Sequence, residues 1–190
     1  ALGLHALQHR GQEGCGISSF DGETFHLEKR QGLVGDHFTN PITIKKLPGS
    51  SAIGHNRYST TGEVSLRNIQ PFFADLYSGG VSLAHNGNLT NAIELRNNLV
   101  KDGAIFRTTS DTETIVQLIA KSNRNKMTDK IIDALFQIQG AFALVMMTKK
   151  KLIGIRDPFG IRPLIIGKLK DSFIFASETC ALDIVGAKFL

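Results

Sequence analysis

The stretch VSLAHNGNLTNAIELRNNLVKDG, residues 81–103, carries a strand, a polar loop and a helix in succession. Residues 81–85 read as a strand, and the polar run His85 to Asn91 follows it. From Asn91 to Asp102, Ala92, Leu95 and Leu99 recur at helical spacing, ahead of Gly103, a residue suited to a left-handed cap. Strand ends that feed polar loops are where sites are commonly built. The pair Asn86-Gly87 supports two readings. Both residues tolerate positive φ, which suits a hairpin turn. An asparagine amide beside a glycine N–H is also what an oxyanion hole needs, two donors aimed at one developing charge with no side chain in the way.

Outward from this stretch, further strand-like segments lie at 16–20, 24–29, 52–58, 141–148, 152–156, 164–167 and 172–176. Short turns such as Asp21-Gly22 and Lys149-Lys150 favour hairpins and antiparallel pairing. Two more helices are expected, at 112–122 with Ile115, Leu118 and Ile119 on one face, and at 128–139 with Ile131, Leu135 and Ile138. Runs of strands interrupted by a block of helices imply an α+β fold with two mainly antiparallel sheets packed face to face and helices outside.

The chain has 190 residues, 42% of them hydrophobic, enough to bury one core, so residues 1–190 are expected to form one domain. No run approaches the roughly 18 apolar residues of a membrane span, and the start lacks the pattern of a secretion signal, so a cytoplasmic setting is expected. Ala1 opens directly onto the helical pattern Leu4-Leu7, which suggests that the chain begins inside a domain. Cys15 and Cys180 are far apart with no CxxC pairing, so reduced thiols are expected and neither a disulfide framework nor a metal site. The +5 charge is scattered, with Lys45-Lys46 and Lys149-Lys150-Lys151 its only lysine runs, and few aromatics interleave with it. That pattern reads as solvated turns rather than a nucleic-acid surface.

Polar segments at 9–14, 54–62, 85–91 and 109–113 exceed what a core requires. Arg57, at a predicted strand end, is either a structural arginine or a bidentate clamp on a carboxylate, which its planar fork suits. Ser110-Asp111-Thr112-Glu113 has the form of a capping box, Ser110 bonding forward and Glu113 reaching back. The Asp111 carboxylate is then left free for a cation such as an α-ammonium. An arginine for a carboxylate, an aspartate for an ammonium and an oxyanion hole for an amide together describe a glutamine pocket.

In this order the segments resemble the class II glutamine amidotransferases. The resemblance covers the whole chain and rests on LQHRGQEG ending at Gly14, GHNRYSTTG (54–62), AHNGNLTN (84–91), TSDTE (109–113), RDPFGIRPL (156–164) and ASETCALD (176–183). The words after Arg57 and after Asn86-Gly87 favour the branch that works in purine synthesis. The resemblance implies an N-terminal-nucleophile (Ntn) hydrolase fold, a four-layer α/β/β/α sandwich. It implies that Arg57 binds the glutamine α-carboxylate, that Asp111 binds the α-ammonium and that Asn86 and Gly87 form the oxyanion hole. Arg10 would lie beside the nucleophile and hold its loop, Tyr58 would belong to a loop that orders around glutamine, and Arg162 with the DPFGIRP turn would be architectural. Ammonia from glutamine would pass to a phosphoribosyltransferase domain, absent from this sequence, where Mg2+ and phosphoribosyl pyrophosphate are expected, in a homo-oligomeric parent protein. No cofactor is expected in this domain, and the iron–sulfur cluster of some relatives is left open.

The nucleophile of that family is an N-terminal cysteine whose own α-amine, or a water held by it, handles the proton. It is not in this sequence, where the family would place it upstream of the helix ending in LQHRG, so the chain alone is expected to be inactive. Cys15 heads a Cys-Gly-Ile sequence, but processing there would discard Arg10 and Gly11, and its parity with Ile17 makes it a packed core residue. Cys180 reads as a core residue of a helical segment. A papain-like pairing of Cys15 with His55 or His85, another class II amidotransferase and a non-catalytic glutamine-binding module remain rival readings, with the two histidines otherwise fixing loop geometry.

Overall fold

The computed structural model describes residues 1–58 and 65–190, so Ser59, Thr60, Thr61 and Gly62 of the GHNRYSTTG segment lie outside the described residues. Strand β1 (Gly14–Phe20) turns through Asp21-Gly22 into β2 (Phe25–Gln31) as the expected hairpin, and the Asp21 carboxylate accepts the N–H groups of Glu23 and Thr24 at 2.8 Å. On its other edge β1 pairs with β3 (Ser51–Arg57), giving the order β2-β1-β3. Every residue of β1 is buried, because both of its faces are covered. Cys15 and Ile17 project to one side, against Val34 of α2 (Val34–His37) and Phe38. Phe20 projects to the other and meets Ile53, Ala84 and Met147 between two sheets.

That second sheet has the order β4-β5-β6-β7, built from β4 (Phe72–Leu76), β5 (Gly79–Leu89), β6 (Gly140–Thr148) and β7 (Leu152–Arg156). Its far face carries the block of helices, α4 (Ala92–Lys101), α5 (Asp111–Lys121) and α6 (Met127–Leu135). Leu83, Leu144 and Met146 from the sheet join Ile115, Ile119 and Ile131 from the helices in the largest apolar cluster. Gly103 caps α4 at φ +91°, its N–H bonded to Val100 O and that of Ala104 to Leu99 O, both at 2.9 Å.

The remaining strands, β8 (Ile165–Leu169), β9 (Ser172–Ala176) and β10 (Lys188–Phe189), form a three-stranded sheet ordered β10-β8-β9. Leu7, Ala181 and Leu182 pack it against α1 (Leu2–Ala6) and α7 (Cys180–Asp183). A further short helix, α3 (Pro41–Lys45), is capped by Asn40. The α/β/β/α layering is therefore present, but with three sheets among the described residues rather than two. A cavity of about 790 Å³ is lined by residues of β3 and β9 and walled also by α1, β5 and β6.

Other departures from the sequence reading are local. Helix α6 stops at Leu135, so buried Ile138 packs from the connection to β6. Strand β5 does not end at His85 but continues through Asn86-Gly87 to Leu89, because β6 pairs with it along the whole length, Leu89 facing Gly140. No described helix is long and apolar enough to cross a membrane.

Candidate active site

The extension of β5 decides how Asn86 and Gly87 are presented. The hairpin-turn reading is overturned: both residues are strand residues, opposite Ala143 and Phe142 of β6. Phe142 bonds to Asp157 with its N–H (to Oδ2, 3.3 Å) and its C=O (from the Asp157 N–H, 2.8 Å). An antiparallel residue points both groups to one side, so the Gly87–Phe142 pair is a non-hydrogen-bonded one and the Gly87 N–H faces away from β6. On that same edge, the N–H groups of His85 and Leu89 go to Gln70 Oε1 (2.7 Å) and Asp111 Oδ2 (3.0 Å). Strand β4 does not cover this edge, since its pairing ends with Phe72 opposite Leu83. Asn86 lines the cavity together with Ala84 and Ala143, and its Nδ2 is buried with no acceptor among the described residues. Gly87 holds φ +146°, and a Cβ there would stand 2.1 Å from Ala141 O, so only glycine fits this approach of two strands.

Arg57 ends β3 on the face that looks toward the second sheet. Its side chain is 15% exposed, Nη1 donates to Asn68 O at 2.8 Å, and Nε lies 3.9 Å from a Glu13 carboxylate oxygen without a hydrogen bond among the described residues. The fork is thus partly committed to structure. Gly11 abuts it so closely that a Cβ would come within 2.5 Å of the Arg57 carbonyl. Arg10 is ion-paired with Glu178, which also takes His9 at 2.9 Å, tying the segment before β1 to the one after β9. Tyr58 follows Arg57 and is 72% exposed.

Asp111 opens α5 but is not free, contrary to the sequence reading. Its Oδ2 accepts the Leu89 N–H, and its Oδ1 lies 3.5 Å from His85 Nδ1. Burial works against its ionisation, but the His85 ring and the N–H groups of Leu89 and Thr112 outweigh it and hold the carboxyl below the usual carboxylate range. The capping box is also modified. Ser110 accepts from the Thr112 N–H at 3.3 Å, while Glu113 reaches past it to the N–H groups of Arg107 and Thr108.

His55 links the two sheets, and the His85 ring lies against the start of α5. His55 Nε2 lies 3.1 Å from His85 O, which only accepts, so the proton sits on Nε2. Burial, then the nearby His85 and Arg57, push the His55 pKa down to about 4 despite that bond, leaving the ring neutral near pH 7. His55 shares its face of the sheet with Gly16, whereas Cys15 faces α2, so the papain-like pairing fails on geometry. Burial pushes the Cys15 thiol up to about 11, which suits a packed residue and not a nucleophile. Cys180 is half-buried, its Sγ 3.6 Å from Ala6 O at the α1–α7 contact. Asp157 accepts the N–H groups of Phe142, Phe159, Ile161 and Arg162, which makes the DPFGIRP turn architectural. No cluster of three His, Cys, Asp or Glu side chains that could hold a metal occurs among the described residues.

A family model described as the glutamine amidotransferase domain matches residues 55–183, which include Arg57, Asn86, Gly87 and Asp111. The chain belongs to the glutamine amidotransferase domain family. It is 58% identical over 190 residues to the amidophosphoribosyltransferase of Rhizobium etli, covering all of this chain and 38% of that protein. It is 49% identical to the chloroplastic amidophosphoribosyltransferase of Vigna aconitifolia, covering 39% of it. Among solved structures, the glutamine phosphoribosylpyrophosphate amidotransferase of B. subtilis, complexed with ADP and GMP, superposes with a TM-score of 0.93 at 45% identity, over all of this chain and 41% of that one. This glutamine amidotransferase domain has the Ntn fold of those neighbours. The chain spans about two fifths of the length of these relatives.

Proposed function

We propose that this chain is the glutamine-hydrolysing part of an amidophosphoribosyltransferase, releasing ammonia that the rest of the protein combines with phosphoribosyl pyrophosphate to form 5-phosphoribosylamine for purine synthesis. The observation that carries the reading is Asn86 Nδ2, a buried donor without an acceptor among the described residues, at the wall of a cavity and beside a glycine N–H turned away from its sheet partner. A buried amide donor left unpaired is costly unless something else accepts from it, and the oxygen of a tetrahedral intermediate is such an acceptor.

In this mechanism Arg57 takes the glutamine α-carboxylate and Asp111, held as an anion, takes the α-ammonium. The Leu89 N–H that anchors Asp111 lies two residues from Gly87, which brings the ammonium site and the oxyanion site onto one strand edge. A thiol attacks the amide carbon, the negative charge collects on the former carbonyl oxygen against Asn86 and Gly87, and ammonia leaves as the thioester forms. Water then cleaves the thioester to glutamate and restores the thiol. Since Cys15 and Cys180 are placed elsewhere, the thiol is assigned to an N-terminal cysteine upstream of Ala1, as the family resemblance implies. Arg10, anchored by Glu178, and Tyr58 flank the site as supports of its loops. Mg2+ and phosphoribosyl pyrophosphate belong to the other part of the protein.

The test is glutaminase activity of the full-length protein bearing a free N-terminal cysteine, compared with Asn86→Ala. Loss of one oxyanion donor should lower kcat by about 10²–10³ with a small change in KM. A folded full-length protein that neither hydrolyses glutamine nor reacts with a glutamine-mimicking electrophile would remove the reading.

A further inference from the structure

We infer that Asn68 is a positioning residue that sets the spacing between the two charged groups gripping the substrate's α-carbon. The inference rests on the glutamine reading above. Asn68 touches both clamps at once. Its backbone oxygen accepts from Arg57 Nη1 at 2.8 Å. Its side chain holds Thr109 at two points, Nδ2 donating to Oγ1 at 3.0 Å and Oδ1 accepting the Thr109 N–H at 3.2 Å. Thr109 leads through Ser110, the N-cap of α5, directly into Asp111. The guanidinium and the carboxylate are therefore joined by a short path of bonds centred on one asparagine.

The mount beneath Asn68 is rigid. The next residue, Ile69, is fully buried in a notch that exists because residue 14 is glycine; a Cβ there would stand 2.5 Å from Ile69 Cδ1. Gln70 then pairs its amide with the His85 backbone, at 2.7 and 3.4 Å. Asn68 is thus fixed to β1 and β5 and behaves as a strut. Arg57 leans on it: among the described residues Asn68 O accepts from Nη1 at 2.8 Å, whereas the Glu13 carboxylate stands 3.9 Å from Nε. An α-carboxylate and an α-ammonium hang from the same carbon, so the groups that take them must hold their mutual position to about half an ångström. Asparagine suits the place because it offers Thr109 a donor and an acceptor together.

A strut of this kind acts on ground state and transition state alike, so its removal should appear in KM. In the full-length protein, Asn68→Ala should raise KM for L-glutamine about tenfold and leave kcat within about twofold. For 4-carbamoylbutanoate, which keeps the carboxylate and amide but lacks the ammonium, the spacing no longer matters, and kcat/KM should change by less than about twofold. Thr109→Val keeps the β-branched shape but loses the hydroxyl; it should shift KM for glutamine in the same direction by about threefold, and it decides the matter if Asn68→Ala does not fold. Equal losses on both substrates, an unchanged KM, or a lower kcat at constant KM would overturn the strut. A wild-type protein that does not hydrolyse glutamine overturns the underlying reading instead.

Discussion

Replacing Gly87 with alanine tests whether the close approach of β5 and β6, on which the presentation of Asn86 depends, is as tight as described. The residue holds φ +146°, and the added Cβ would stand 2.1 Å from Ala141 O and 2.9 Å from Phe142 Cα, main-chain atoms that cannot rotate aside. A side chain in such backbone costs about 1–3 kcal/mol, and the strand separation needed to relieve the contact adds about 1–3 more. The expected loss is about 4 kcal/mol, a large part of the roughly 5–15 kcal/mol that stabilises a domain. Gly103→Ala is the control, because Gly103 also has positive φ, +91°, but its Cβ would meet nothing within 4 Å. It should lose only the backbone contribution, about 1–2 kcal/mol. Urea unfolding followed by far-UV circular dichroism measures both; with a slope of about 2 kcal/mol per molar, the midpoints should fall by about 2 M and by less than about 1 M. A Gly87→Ala variant no less stable than Gly103→Ala would show that β5 and β6 do not approach this closely at residue 87.

The His55 ring titrates near 6.5 when unfolded and about 4 when folded, so between those values the folded protein binds fewer protons. Its contribution is fully present above about pH 6.5 and is lost as pH falls toward 4, up to about 2 kcal/mol between pH 7 and pH 5. His55→Gln should flatten that slope in urea titrations at the two pH values, and unchanged slopes would rule the burial effect out. Arg57→Lys should weaken glutamine binding by about 1–3 kcal/mol in calorimetry, since an ammonium cannot reproduce the fork; equal affinity sinks the carboxylate clamp. Cys15, with its thiol pushed up to about 11, should resist alkylation at pH 8 until the protein unfolds, and rapid native labelling would contradict its packing.

Much of this architecture can be read from local pattern. Turn residues at Asp21-Gly22 and Lys149-Lys150 mark real hairpins, and Leu95 with Leu99 before Gly103 marks a real helix and its cap. Where pattern fails, distant partners are the reason. Polar Asn86-Gly87-Asn88 has no strand signature, yet full pairing with β6 extends β5 through it. Asp111 reads as unengaged from its own capping box alone, because Leu89 and His85, which hold it, are 22 and 26 positions away. The third sheet and the cavity have no local signal at all. Asn68 and Gln70 are likewise silent: their roles come from bonds to Arg57, Thr109 and His85 that only the fold brings within reach. Arg57, Asn86 and Gly87 stand out in the sequence as candidates because charge, amide and glycine each constrain the chemistry they can do.

The most direct test of the glutamine grip is a crystal structure of the full-length protein with a bound γ-substituted glutamine analogue. The expected result is the α-carboxylate on Arg57, the α-ammonium on Asp111 and the side-chain oxygen accepting from Asn86 Nδ2 and the Gly87 N–H. An analogue bound elsewhere, or one seated in the cavity with Asn86 Nδ2 still without an acceptor, would contradict it.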